Sequence, residues 1–185
     1  MKVYLNPGHD LDYDSGAVNP NTGLRECDVA DGIGKLVQHY LDAAGCTVRL
    51  LQSDNLCGFD CDRRDRPTAV CYDANDWDAD IFVSIHCNAA NTYARGTEVE
   101  CYSKNSEGGK LAECIQKQIV DSLGTVDRGV KEYPDLLVLK HTDMPAVLVE
   151  TAFIDNDEDA DLLIKRQDEF ARAIARGITD YECLK

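Results

Sequence analysis

Basic residues are scarce in this chain: 19 lysines and arginines stand against 34 aspartates and glutamates, for a formal net charge of −15. That balance argues against nucleic acid and anionic membrane surfaces as partners, because both need a basic patch to displace counterions. Long apolar runs are also missing. No stretch approaches the roughly 20 residues of a membrane-spanning helix, so no membrane insertion is expected. Internal repeats, low-complexity tracts and linker-like segments are absent too. Residues 1–185 therefore read as one domain, long enough for a single sizeable core. The opening Met1-Lys2-Val3-Tyr4-Leu5 runs directly into Asn6-Pro7-Gly8, without the apolar stretch and cleavage site of a signal peptide. The expectation is synthesis in the cytoplasm without an export segment.

Cysteine, by contrast, is abundant, at nine residues. An odd count in a chain of this length does not suit a secreted disulfide framework. Cys46, Cys87, Cys101 and Cys114 lie among apolar neighbours, where a thiol behaves as a small hydrophobe. Free, reduced thiols are expected.

Periodicity divides the chain into alternating strands and helices. Short apolar or β-branched runs at Val3–Leu5, Thr47–Leu51, Asp80–Ile85, Thr97–Tyr102, Leu136–Leu139 and Ala146–Val149 read as strands. Helices are expected from about Asp28 to Ala44, from Arg66 or Thr68 to Asp76, from about Ser106, and from about Gln167 to Tyr181. Gly45 sits just past the first of these, where a left-handed cap is wanted. This alternation implies an α/β domain with a twisted, largely parallel sheet flanked by helices.

If the strands run parallel, His9 beyond the first strand, His86 after Asp80–Ile85 and Glu150 after Ala146–Val149 share one sheet edge. Ligands in open α/β sheets bind at the carboxyl ends of strands. Glu26, beside the start of the first helix, can reach the same edge. Two imidazoles, a carboxylate and an open fourth position make the ligand set of a catalytic zinc ion, and a further carboxylate such as Glu150 can relay the proton. Strand alternation turns Cys87 away from His86. Spacing alone leaves hydrogen-bonded structural histidines and solvated carboxylates as open alternatives.

Longer motifs narrow the choice. Asn6-Pro7-Gly8-His9, Ser15-Gly16-Ala17 and Gly23-Leu24-Arg25-Glu26 resemble the opening of the zinc-dependent N-acetylmuramoyl-L-alanine amidases (the amidase_3 type). Ala74-Asn75, Ala79-Asp80 and Phe82-Val83-Ser84-Ile85-His86-Cys87-Asn88-Ala89 are similar to that family's second block. Arg128-Gly129-Val130-Lys131, Leu137-Val138-Leu139-Lys140 and the run from Met144 through Glu150 to Asn156 are similar to its last. The blocks come in order and span nearly the whole chain. The resemblance implies a phosphorylase/hydrolase-like α/β fold, zinc held by His9, Glu26 and His86, and Glu150 as catalytic glutamate. It also implies peptidoglycan as substrate. Zinc-activated water would cleave the amide between N-acetylmuramic acid and L-alanine, with Glu150 as general acid and base. Asn88, two positions past His86 on the same strand face, is a candidate for orienting ligand or substrate.

The chain departs from the family pattern at Asn6, where aspartate is frequent, and at Asp10, where glycine is frequent. It departs again in residues 52–73, which carry Cys57, Cys61 and Cys71 with Arg63, Arg64 and Arg66; that region is a candidate for shaping the groove, and the resemblance leaves substrate selectivity open there. Cys57 and Cys61 lack the second pair of a structural zinc site. Asp155, Asp157, Asp159 and Asp161 lack a calcium loop's glycine and final glutamate, and suit an acidic helix start better. Gly32-Ile33-Gly34 has no third glycine and no preceding strand. His39 and His141 read as structural or exposed. Two other functions compete with the amidase: a zinc carboxypeptidase or deacylase on peptides, which needs a basic pocket, and a non-catalytic wall-binding module. A wall substrate combined with no export segment suggests phage-type release as an endolysin, with a sporulation enzyme or autolysin as the alternative.

Overall fold

The computed structural model describes residues 1–61 and 64–184. Arg63, one of the three clustered arginines, lies outside the described residues. The elements run β1 (Lys2–Pro7), α1 (Glu26–Ala43), β2 (Thr47–Leu50), α2 (Val70–Asp76), β3 (Ile81–Asn88), β4 (Thr97–Cys101), α3 (Glu107–Leu123), β5 (Asp127–Glu132), α4 (Leu137–Lys140), β6 (Ala146–Phe153), α5 (Asp157–Lys165) and α6 (Gln167–Glu182). Six strands form one sheet in the order β2-β1-β3-β6-β4-β5. The four strands β2, β1, β3 and β6 run parallel. β4 runs antiparallel to β6, and β5 follows β4. The α/β fold with a largely parallel sheet is therefore as the sequence reading has it.

The sheet has two buried faces, so its central strands read as continuous apolar runs. Val3, Leu5, Val83, Ile85, Val147 and Val149 turn to the larger core, under the apolar stripes of α1, α3 and α6. Val29, Ile33, Val37 and Leu41 of α1 recur every three or four residues, which places them along one side of the helix. Tyr4, Phe82 and Leu148 turn to the opposite face, against Val70, Cys71 and Ala74 of α2 and Val138 and Leu139 of α4. Burying a side chain of that size is worth about 1.5–3 kcal/mol, so the central strands are the rigid part of the fold.

Two elements differ from expectation. Leu136–Leu139 is not a strand; it lies at the short helix α4. A four-residue apolar run cannot be told from a buried helical turn by pattern, and Val138 and Leu139 are buried as a strand's residues would be. The missing strand is β5, with the sequence Asp-Arg-Gly-Val-Lys-Glu. It is an edge strand, where charge protects against further pairing and conceals the apolar alternation. Both site strands also continue past their expected ends, β3 to Asn88 and β6 to Phe153. His86 and Glu150 consequently lie within their strands, on the sheet face, rather than beyond its edge.

Candidate metal centre

Three elements converge on one group of side chains. β1 ends at Pro7, and Gly8 donates its N–H to the carbonyl of Ile85 at 2.8 Å. The next residue, His9, has φ 64°. A left-handed conformation is costly for a residue with a Cβ, and such outliers cluster where function requires a particular side-chain direction. Gln52 ties this turn to the start of α1, donating to the carbonyls of Gly8 (3.0 Å) and Cys27 (2.9 Å). Glu26 is the first residue of α1, and its carboxylate is buried.

One ligand atom from each of His9, Glu26 and His86 lies within 4.8 Å of the other two. Glu26 Oε2 is 3.0 Å from His9 Nε2, and Glu26 Oε1 is 3.0 Å from His86 Nδ1. Backbone N–H groups hold the same carboxylate: Ala17 donates to Oε2 and Cys87 to Oε1, both at 2.9 Å. The backbone has been kept clear around the group. A Cβ on Gly8 would run into the His86 ring, and one on Gly16 would lie 2.5 Å from His9 Cδ2 and 2.6 Å from Glu26 Oε2. Two imidazoles and a carboxylate at this spacing are a donor set that can hold a divalent ion with one position open.

Asp14 was not among the residues singled out in the sequence, yet its Oδ2 lies 2.7 Å from His9 Nδ1. A carboxylate on the far ring nitrogen sets the tautomer and leaves Nε2 directed at the metal position. Asp10 explains how Asp14 comes into reach. It pairs with Asp14 in an isolated β-bridge, and its Oδ1 accepts from the N–H groups of Asp12 and Tyr13. Asn6 is likewise suited to its place: it donates to the Leu51 carbonyl at 3.0 Å and accepts from the Ser84 hydroxyl at 3.0 Å. An ionised aspartate has no hydrogen to give the first of these.

The fourth carboxylate stands beside this group. The register pairs Glu150 directly with His86 across β6 and β3. Glu150 is half-buried, and its Oε2 is buried with no hydrogen-bond partner among the described residues. Both residues line a cleft of about 480 Å³ with His9, Glu26, Asn88, Glu98 and Glu100. Asn88 lies on the same strand face as His86 and donates to Glu98 Oε1 at 2.7 Å. Cys87 points the other way, into the larger core, with Sγ 3.4 Å from the Thr151 hydroxyl. His39 and His141 are elsewhere, packed against Tyr40 and Phe59.

The charges follow from these contacts. Burial raises the Glu26 carboxyl, but hydrogen bonds from His86 and His9 outweigh it and hold the group well below the usual carboxylate range. Burial lowers the His9 imidazole, yet hydrogen bonds to Glu26 and Asp14, with their charges, lift it to about 9. Glu150 goes the other way: burial first, then the negative charges of Glu26, Glu100 and Glu98, push it well above the ordinary value. A strongly acidic carboxylate and a strongly basic one in one cleft is the arrangement that separates a metal-holding group from a proton-carrying one.

A family model described as N-acetylmuramoyl-L-alanine amidase matches residues 3–180. The chain is 36% identical over 184 residues to the N-acetylmuramoyl-L-alanine amidase LytC of Bacillus subtilis (strain 168), covering 97% of this chain and 35% of that protein. It is 36% identical over 182 residues to the endolysin of Bacillus phage SPP1, covering 95% of this chain and 62% of the endolysin. The chain thus spans about a third of LytC and less than two thirds of the endolysin. The solved structure of the amidase AmiC2 of Nostoc punctiforme matches with a TM-score of 0.84 and 33% identity, over 99% of this chain and 97% of that one. The chain belongs to the N-acetylmuramoyl-L-alanine amidase family.

Proposed function

With that membership as premise, we propose that the chain is a zinc-dependent peptidoglycan hydrolase that cleaves the amide between the lactyl group of N-acetylmuramic acid and L-alanine. The observation that carries the reading is Glu150: a half-buried glutamate whose Oε2 is buried and unpartnered among the described residues, next to His86 and facing the same cleft as the His9–Glu26–His86 group. A structural metal or a binding module has no use for such a group, whereas hydrolysis needs a proton carrier there.

His9, Glu26 and His86 would hold the ion, with Asp14 fixing the His9 tautomer. Zinc, when bound, supplies a Lewis acid that stabilises negative charge on oxygen and brings the pKa of water towards neutrality. Glu150 takes the proton of the attacking water and delivers it to the nitrogen of the departing L-alanine. The proton passes on in the second step because the departing amine is more basic than the carboxylate. Asn88, with its N–H committed to Glu98, offers its carbonyl oxygen to a substrate amide hydrogen.

The competing peptidase reading needs a cation to receive a terminal carboxylate. Among the described residues no lysine or arginine lines the cleft, and nearby Arg128 is engaged by Glu98 at 2.9 Å. Digestion of purified cell walls tests the proposal. The expected products are free lactyl carboxyl groups on the glycan and new L-alanine amino termini, with no new reducing sugars, and a chelator should stop their release. New reducing sugars, or chelator-resistant cleavage, would remove the assignment.

A further inference from the structure

The turn that carries His9 is held from outside by the segment that follows β2, the stretch in which the chain departs from the family pattern. The sheet fixes where that segment starts: Leu51 donates its N–H to the Leu5 carbonyl, and its own carbonyl accepts from the Asn6 side chain, both at 3.0 Å. Gln52 projects from this anchored base. Its side-chain amide gives one hydrogen to the Gly8 carbonyl (3.0 Å) and the other to the Cys27 carbonyl (2.9 Å). The first acceptor belongs to the rigid peptide plane before His9, so its direction governs the φ of 64° at which His9 leaves the turn. The second lies one residue past Glu26, in the first turn of α1. One half-buried side chain therefore bridges the backbone beside two of the three proposed ligands. Further along the segment, the Arg66 guanidinium pairs with Asp54 and stacks over the Tyr13 ring, 4.2 Å from its centre. The far end of the turn, next to Asp14, is thus supported from the same side.

The bridge carries a cost. Gln52 Oε1 is buried and has no hydrogen-bond partner among the described residues, a penalty that an apolar side chain of the same length would avoid. Metal–ligand distances tolerate only about 0.2 Å of error, and a left-handed turn beside one ligand needs an external hold to stay within it. We propose that Gln52 is a positioning residue for the metal centre: by clamping the Gly8 and Cys27 carbonyls it holds His9 against Glu26 at metal-binding distance. The inference rests on the reading of His9, Glu26 and His86 as zinc ligands. It gives the start of the 52–73 segment a role at the metal rather than in the choice of substrate.

The test is a zinc titration of the metal-free protein against a competing chelator. Gln52→Met keeps the length of the side chain and removes both donors. Its zinc affinity should fall by about 10–100-fold, as when a group that orients a metal ligand is lost. Gln116 in α3 is the matched control. It also gives away both amide hydrogens, to the Thr97 carbonyl (2.9 Å) and Asp127 Oδ1 (2.7 Å), with its Oε1 buried and unpartnered among the described residues. Its partners lie outside the His9 turn and outside α1, so Gln116→Met should lose stability and keep wild-type zinc affinity. Denaturant melts of the metal-free proteins establish that the variants are folded. Should Gln52→Met not fold, Gln52→Glu carries the same expectation, because an ionised carboxylate of the same size has no hydrogen for either carbonyl. Wild-type zinc affinity in the Gln52 variant overturns the proposal alone. So does an equal loss in Gln116→Met, since the effect would then be one of general stability. A wild-type protein that binds no zinc removes the ligand reading, and this proposal with it.

Discussion

Gly16 gives the sharpest perturbation of the proposed metal group that leaves His9, Glu26 and His86 unsubstituted. It has φ +63°, and a Cβ there would lie 2.5 Å from His9 Cδ2, 2.6 Å from Glu26 Oε2 and 2.7 Å from His9 Nε2. Ordinary contact begins near 3.4 Å, so Gly16→Ala forces the two ligands outward by up to about 0.9 Å, several times the roughly 0.2 Å tolerance of metal–ligand distances. Two costs follow. The left-handed backbone costs about 1–2 kcal/mol with a Cβ present, and the displaced ligands should weaken zinc binding by about 10–100-fold, as loss of ligand orientation does elsewhere. Gly23→Ala separates them: Gly23 has φ +73°, and its Cβ would meet nothing within 4 Å. That variant should lose the same backbone stability and keep full zinc affinity. The assay is a zinc titration against a competing chelator, paired with denaturant melts of the metal-free proteins. Equal zinc affinity in the two variants would refute the argument that Gly16 is a glycine because the ligands need the space.

Glu150→Gln should retain zinc and fold, since it leaves the three ligands alone, while turnover falls by a factor on the order of 10²–10⁴; wild-type lytic activity would dismiss Glu150 as proton carrier. His86→Ala should instead lose activity through lost zinc, and full occupancy by metal analysis would contradict the ligand assignment. Glu100 has a native pKa raised from 4.5 to about 7, so its contribution favours folding below the unfolded value and is lost as pH rises through about 7. Glu100→Gln should therefore match the wild type at about pH 4. Near pH 8 it should be more stable, by about 1–2 kcal/mol after solvent screening in the cleft; a variant less stable at the higher pH would contradict this. Among the nine free cysteines only Cys183 is exposed and six are buried, so native thiol titration should show one fast group, and denaturation without reductant should expose all nine. Several disulfides in the native protein would count against the packing described.

What could be seen in the sequence was whatever depends on neighbours along the chain. The amphipathic spacing of Val29, Ile33, Val37 and Leu41 marked α1, and the apolar runs at Val3–Leu5 and Asp80–Ile85 marked two central strands, because buried faces impose a period on the residues that fill them. His9, Glu26, His86 and Glu150 stood in recognisable motifs, so the residues of the site were nameable before their positions were. Leu136–Leu139 and β5 were misread for one reason: a short buried turn and a charged edge strand carry no distinguishing period.

Everything that depends on contacts between distant segments was decided by the tertiary structure. Asp14 became the partner of His9 through the turn that Asp10 holds, and Asn6 proved a better fit than an aspartate because Leu51 and Ser84 offer it one acceptor and one donor. The antiparallel course of β4 brought Glu98 opposite Glu150 and buried Glu100 between Leu148 of β6 and Lys131 of β5. A carboxylate's identity is local, but its proton affinity is set by burial and by charges brought near it from elsewhere in the chain. Glu26 and Glu150 are the same amino acid, and the fold alone makes one hold its charge and the other its proton.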